Sequence, residues 1–318
     1  MRRALALLVA AVALGGCGLG SGDAPTGGTE LTVSRNFGAE ELGHSDLKTI
    51  PGGETVMRQL QRRFTVETRY GGGFVQEIDG VSGGRRSGRP VDWFYYVNGI
   101  EADSGAASRR LAPGDKVWWD HHDWGAAMRI PAVVGSYPEP FTSAAKGKKI
   151  PIRIDCAGDS RRQCREVRDR LEEAGAQVGG SGTLGTRAGP EVLRLLVGRW
   201  EDVRIDPSAR RLEKGPKVSG VFARPAEDGR SFELLDPTGK AVRTLGAGAG
   251  LVAATRFLDQ QPTWVVTGID EVGVASAAAA LVEDRLEDRF AVALEAGREV
   301  PVPLPVGGGE DTVSGVRP

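Results

Sequence analysis

From residue 30 to residue 124, apolar and polar positions alternate in short runs. Leu31-Thr32-Val33-Ser34-Arg35-Asn36-Phe37 has the two-residue period of a strand. Residues 42–50 predict a weaker strand, broken by Gly43. Residues 54–63 place Val56, Met57 and Leu60 on one side and predict a short helix. Alternation resumes over 64–70, and Gly71-Gly72-Gly73 turns the chain into Phe74-Val75-Gln76-Glu77-Ile78. The strongest strands are 92–98 and 116–123, both rich in aromatics. One helix among several strands predicts an α+β roll on a mixed sheet.

After Trp124 the pattern changes. Pro131, Pro138, Pro140 and Lys146-Gly147-Lys148-Lys149 mark residues 131–149 as a linker. Residues 150–155 predict a strand. A helix follows, with Ser160 as cap, Gln163 three residues on as in a capping box, and Gly175 as stop. Short apolar strands are expected at 193–197, 218–222, 251–257 and 264–267, with another over 290–294. Residues 232–235 turn through Asp236-Pro237-Thr238-Gly239 into 241–245. Val272, Ala275, Ala279, Val282 and Leu286 form a helical stripe, with Asp270 as cap. Residues 150–297 thus predict a mixed α/β sandwich, and Pro- and Gly-rich 298–318 a disordered tail.

The first residues form a separate signal. Arg2 and Arg3 precede an apolar run from Ala4 to Leu14, followed by Leu14-Gly15-Gly16-Cys17. A charged start, a short apolar core and small residues before a cut are the parts of a secretory signal peptide. The run falls short of the roughly 20 apolar residues of a spanning helix. Cysteine after two small residues resembles the lipobox, so 1–16 are expected to be removed and Cys17 lipidated. The expected product is a lipoprotein on the extracytoplasmic face of the cell membrane, with residues 17–29 as a flexible tether.

Composition narrows the function. Hydrophobic residues at 40% and charged residues at 26% describe an ordinary globular chain, and 318 residues exceed one usual core. The formal charge is -1, and loss of Arg2 and Arg3 leaves 39 basic against 42 acidic residues. No basic excess points to nucleic acid. With Cys17 lipidated, Cys156 and Cys164 remain as an even pair, expected to be a disulfide in an oxidising compartment. Two free thiols or a C-x7-C metal site are the alternatives.

The most informative stretch runs from Trp93-Phe94-Tyr95-Tyr96-Val97-Asn98-Gly99-Ile100-Glu101-Ala102 through Ser104-Gly105-Ala106 to Pro113-Gly114-Asp115-Lys116-Val117-Trp118-Trp119. Asn98-Gly99 is a tight hairpin signal. Upstream, Gly53-Glu54-Thr55-Val56 and Phe74-Val75-Gln76-Glu77-Ile78-Asp79-Gly80 follow in matching order. This pattern closely resembles the transcobalamin C-terminal-like family, a β-grasp-like module of bacterial surface proteins, over about residues 30–124. The resemblance implies a β-grasp-like first domain over 30–130. In transcobalamin and intrinsic factor the related domain closes over cobalamin beside an α-helical barrel, which this sequence lacks.

Candidate chemistry centres on Asp120-His121-His122-Asp123-Trp124, since His44 is the only other histidine. On a strand the two imidazoles diverge, so a two-histidine chelate is not expected, and zinc needs three or four converging ligands. One histidine beside an aromatic wall suits a flat ligand or a corrinoid cobalt. The expected wall is Trp93, Tyr95, Tyr96, Trp118, His122 and Trp124, against core packing as the alternative. Gly246-Ala247-Gly248-Ala249-Gly250 lacks phosphate-loop spacing and predicts an ordinary loop. No catalytic signature appears, so no enzyme activity and no cofactor are expected. The function expected is a non-catalytic binding module that captures a small molecule such as a corrinoid for an importer. The alternative is a cell-envelope lipoprotein that docks a protein or glycan.

Overall fold

The computed structural model describes residues 27–306, apart from 146, 147, 187, 258 and 259. The signal segment, Cys17 and most of the expected tether lie outside the described residues. The expected tether, 17–29, overlaps the first strand at its end, because Thr29 is buried there.

The first half is a six-stranded sheet. Strand β1 (Thr29–Arg35) pairs antiparallel with β2 (Glu40–Leu47) and parallel with β9 (Lys116–Asp123). Next to β9 lies β7 (Arg89–Val97), which carries β6 (Gly84–Arg86) and, by a hairpin, β8 (Ile100–Glu101). That hairpin is the expected Asn98-Gly99 turn, with φ of 55° and 71° at its two residues. One face of this sheet packs on α1 (Val56–Arg63) and on a small sheet of β3 (Val66–Arg69), β4 (Phe74–Ile78) and β5 (Val81–Ser82). Thr55 caps α1 by accepting the Arg58 amide, and Arg62 reaches back to the buried Glu54 at 2.9 Å through both oxygens.

After a short ribbon of β10 (Ala144–Ala145) and β11 (Lys148–Lys149), the second half is built on a seven-stranded sheet. Its parallel part is β12 (Ile152–Cys156), flanked by β13 (Val178–Thr183) and β14 (Leu193–Arg199), with β19 (Thr263–Gly268) beyond β14. Its antiparallel part is β18 (Gly250–Thr255), β20 (Ala291–Glu295) and β21 (Arg298–Val302). Helices α2 (Arg161–Glu173) and α6 (Glu271–Ala279) cover one face. The other face is covered by α3 (Trp200–Val203), α4 (Pro207–Arg210), α5 (Pro216–Ser219) and a small sheet of β15 (Ala223–Pro225), β16 (Phe232–Leu235) and β17 (Ala241–Leu245). Burial on both faces explains why Leu193-Arg194-Leu195-Leu196-Val197 is nearly all apolar. Its one charge, Arg194, is held by Asp155 at 2.7 Å and by Asp206. The class is α+β, as the pattern predicts.

Several local expectations need correcting. Residues 131–149 connect the halves but are not a loose linker: Ala132, Val133, Val134, Tyr137 and Phe141 are buried in the shared core. Residues 298–302 are the edge strand β21, not the start of a disordered tail; residues 307–318 lie outside the described residues. Ser160 makes no side-chain cap, so the capping box with Gln163 does not form. Residues 216–219 form α5 where 218–222 predict a strand. The stripe over 272–286 also fails. Helix α6 ends at Ala279, and a second helix, α7 (Glu283–Leu286), follows a break. Gly273, Val274, Ala277 and Ala278 are the buried side, whereas Val272 is 66% exposed. An Ala-rich helix has too little polarity contrast for spacing to choose its face. Asp270 does cap α6, through the Gly273 amide at 2.9 Å, and its second oxygen holds Gly248 of the expected loop at 2.7 Å.

Cys156 and Cys164 form a disulfide that ties the end of β12 to the first turns of α2, with Cα atoms 6.2 Å apart. The bridge closes a short loop, so reduction is expected to cost about 2 kcal/mol. Urea unfolding with and without a reductant checks this; an unchanged midpoint would show that the bridge adds no stability.

Candidate functional site

The aromatic motif lies on β7 and β9, whose register sets Tyr95 opposite Trp119, Tyr96 opposite Trp118 and Asp92 opposite His122. Alternation sends these side chains to two different places. Trp93 and Tyr95 face α1. Trp93 donates its indole N–H to the Val81 carbonyl at 2.8 Å, and Tyr95 stacks on Trp119 with ring centroids 4.8 Å apart. Tyr96, Trp118 and His122 face the second half of the chain and join its core with Phe222 and Phe290.

At the centre of that junction is a buried polar knot. Asp120 has no exposed surface and accepts four hydrogen bonds. Its Oδ1 takes the Phe37 amide at 3.0 Å and His122 Nδ1 at 2.8 Å. Its Oδ2 takes the Ser34 hydroxyl at 2.6 Å and the Gly38 amide at 2.9 Å. Asn36, Phe37 and Gly38 all have positive φ, which turns two successive amides onto the carboxylate in an anion-binding nest. With a carboxylate as partner, Nδ1 is the protonated nitrogen of His122. The imidazole lies stacked between Phe37 and Phe94, at 4.7 and 4.6 Å, with Phe290 edge-on at 5.4 Å.

Backbone contacts lock the junction. A Cβ on Gly38 would stand 2.0 Å from the Asp288 carbonyl oxygen, and one on Gly135 would meet Arg289 and Trp118 within 2.8 Å. Only glycine permits either approach. Asp288 is half-buried there, and its carboxyl is pushed up to about 6 by burial and by the nearby Glu287 and Glu41.

The expected ligand wall therefore does not exist as one surface. Trp93, Tyr95, Tyr96, Trp118 and His122 are all buried, on two faces of the sheet. His122 cannot reach a corrinoid cobalt, since three phenyl rings enclose it and its Nδ1 is engaged by Asp120. Trp124 is the exception: its indole N–H donates to Asp92 at 2.9 Å while the residue lines an open cleft. Burial raises the Asp92 carboxyl and lowers the His121 imidazole.

Two clefts open at the edges of the junction. A smaller one, about 430 Å³, lies beside Phe37, His121 and Asp123 under Pro303-Leu304-Pro305. The larger, about 760 Å³, is bounded by Glu101, Trp124 and Arg129 of the first half and by Arg211, Lys217 and Arg256 of the second. The three second-half cations have no motif spacing in sequence, and only folding assembles them. Among the described residues, no group of three or more His, Cys, Asp or Glu is placed to hold a metal ion.

Residues 53–123 match the model of a family described as a domain of unknown function (DUF4430). The matched stretch contains the motif from Trp93 to Trp119 and Asp120 itself. No curated protein matches the chain. Among solved structures, the chain is similar to a Ruminococcus gnavus protein described as metal binding, at 12% identity and a TM-score of 0.25, over 30% of this chain and 97% of that one. It is also similar to haptocorrin in complex with Cbi, at 18% identity and a TM-score of 0.24 over 30% of this chain. The chain spans 26% of the haptocorrin chain.

Two outcomes follow from this geometry. Asp120→Ala removes the acceptor of four buried donors and is expected to cost roughly 3 kcal/mol or more, against about 1 kcal/mol for Ser34→Ala. Equal losses in urea unfolding would show that Asp120 does not organise the junction. Asp288 has a folded pKa above its unfolded value, so the folded state binds the extra proton. Its contribution is most favourable below about pH 4 and is lost as pH rises to about 6. Asp288→Asn is therefore expected to gain roughly 1–2 kcal/mol over the parent at pH 7 and nothing at pH 4. Thermal melts of both chains across that range check the sign.

Proposed function

We propose that this chain is an extracytoplasmic binding module, held on the outer face of a membrane by lipid on Cys17. It takes a small molecule at the junction of its two halves and does not transform it. The localisation rests on Arg2, Arg3, the apolar run to Leu14 and the Leu14-Gly15-Gly16-Cys17 lipobox. Two acyl signals on one cysteine suffice for durable anchoring. The binding reading rests on the larger cleft: its walls come from both halves, and one continuous core runs behind them. Clefts of several hundred Å³ between packed units are where small ligands prefer to lie.

A corrinoid destined for an importer is the sharpest form of this reading. It would be held by the cleft walls, without an axial bond from His122. A second reading, docking of an envelope protein or glycan, is favoured by the apolar rim of the same cleft, where Met128 is 68% and Val218 39% exposed.

The test uses one variant. Cys17→Ser is expected to leave the membrane fraction in which the parent sediments, and membrane retention would overturn the anchor. Titrated with cobalamin, this soluble chain is expected to saturate below a Kd on the order of 100 μM. Absence of binding would eliminate the corrinoid form. Capture of one stoichiometric envelope partner, lost on Trp124→Ala, would favour docking instead.

A further inference from the structure

We propose that the larger junction cleft binds a small anionic ligand, through phosphate or carboxylate oxygens held by Arg211, Lys217 and Arg256. This rests on the binding-module reading above and gives its ligand a charge.

Elsewhere many of the chain's cations are paired: Arg62 with Glu54, Arg89 with Asp123, Arg204 with Glu213, Arg224 with Glu233. Arg211, Lys217 and Arg256 make no ion pair among the described residues, although they converge on one concavity. Of the two carboxylates that also line it, Glu101 is engaged by Arg129 at 3.2 Å. Asp103 is exposed at the rim. The cleft therefore carries an excess of positive charge in a chain whose net charge is -1.

Arg211 is held in place by two contacts. One Nη donates to the Val218 carbonyl, and the guanidinium lies 5.4 Å over the Phe257 ring. These contacts set its plane. Its Nε is buried and has no hydrogen-bond partner among the described residues. A buried donor left open destabilises the fold unless an acceptor arrives. Burial lowers the Arg211 pKa, and no nearby carboxylate opposes this, yet a guanidinium stays charged. Held by those two contacts and partly desolvated, the Arg211 guanidinium has no ion-pair partner among the described residues and can donate to an anionic oxygen. Arg256 is steadied by donation from its Nε to the Gln260 carbonyl at 2.7 Å. Lys217 supplies an exposed point charge at the rim. Trp124 and Pro131 offer apolar wall to whatever body the anion carries. The size of the cleft suits a metabolite-sized ligand.

The same oxygens occur on a free metabolite and on a phospholipid headgroup, so the experiment has two arms. The full chain carrying Cys17→Ser is titrated with pyrophosphate and with citrate by calorimetry. In parallel it is mixed with phosphatidylglycerol vesicles, with phosphatidylcholine vesicles as control. Saturable one-to-one binding of a soluble anion is expected, weakened at least tenfold by the pair Arg211→Gln and Lys217→Gln. Binding only to phosphatidylglycerol vesicles, lost in the same pair, would assign the headgroup as the source. Should the pair melt early, Lys217→Gln with Arg256→Gln leaves Arg211 and its contacts in place and is expected to weaken binding at least threefold. Binding unchanged in both pairs, or no binding to any of these probes, would overturn the proposal. A cobalamin titration run alongside separates the two failures: cobalamin bound without any anion removes the charged cleft and keeps the binding module.

Discussion

The buried carboxylate of Asp120 is the interaction on which the arrangement of the two halves depends. Burying a charge is unfavourable unless every lone pair finds a donor, and here four donors come from three segments. Ser34 belongs to β1, the Phe37 and Gly38 amides to the turn after it, and His122 to β9. Satisfying the carboxylate therefore fixes the left-handed turn at 36–38, and that turn places Phe37 against His122 and Phe222. Solvent has no part in the knot, because aromatic rings from both halves close over it.

This arrangement explains why the aromatic motif is not itself a ligand surface. A two-stranded aromatic ribbon in the middle of a sheet has one face for its own helix and one for its neighbour. With the second half packed on Tyr96 and Trp118, both faces become interior. The two junction clefts open where the halves diverge at their edges, and the larger of them is lined by charged residues from both. In the reading proposed above, ligand selection falls to side chains outside the motif, chiefly Arg211 and its neighbours, with the motif as the packed layer behind them.

Much of the local structure was legible because it follows from short-range physics. Strand alternation located β1, β4, β7 and β9, Asn98-Gly99 located the hairpin, and Asp270 located a helix start. The even pair Cys156 and Cys164 pointed to a bridge by number and compartment, and the fold supplies the approach of the two residues. What was not legible had either weak contrast or a distant cause. Residues 272–282 are apolar almost all round, so spacing named the wrong face. The prolines at 131, 138 and 140 suggested a spacer, yet the apolar residues between them fill the seam between two sheets. Gly-rich β13 has no alternation, and only pairing with β12 makes it a strand.

The sequence by itself determined the export signal as an expectation, the α+β class, and the strands and helix that carry the Trp93–Trp119 motif. These depend on residues near one another in the chain, whose periodicity and turn chemistry act over a few positions. Strand alternation already separates Trp93 and Tyr95 from Tyr96; only the tertiary structure decided that both faces are interior and that Asp120 is a buried keystone. It likewise assembled Arg211, Lys217 and Arg256 beside Trp124. The Asp120 knot and the larger cleft join segments more than eighty residues apart, and no local pattern encodes which of them will meet.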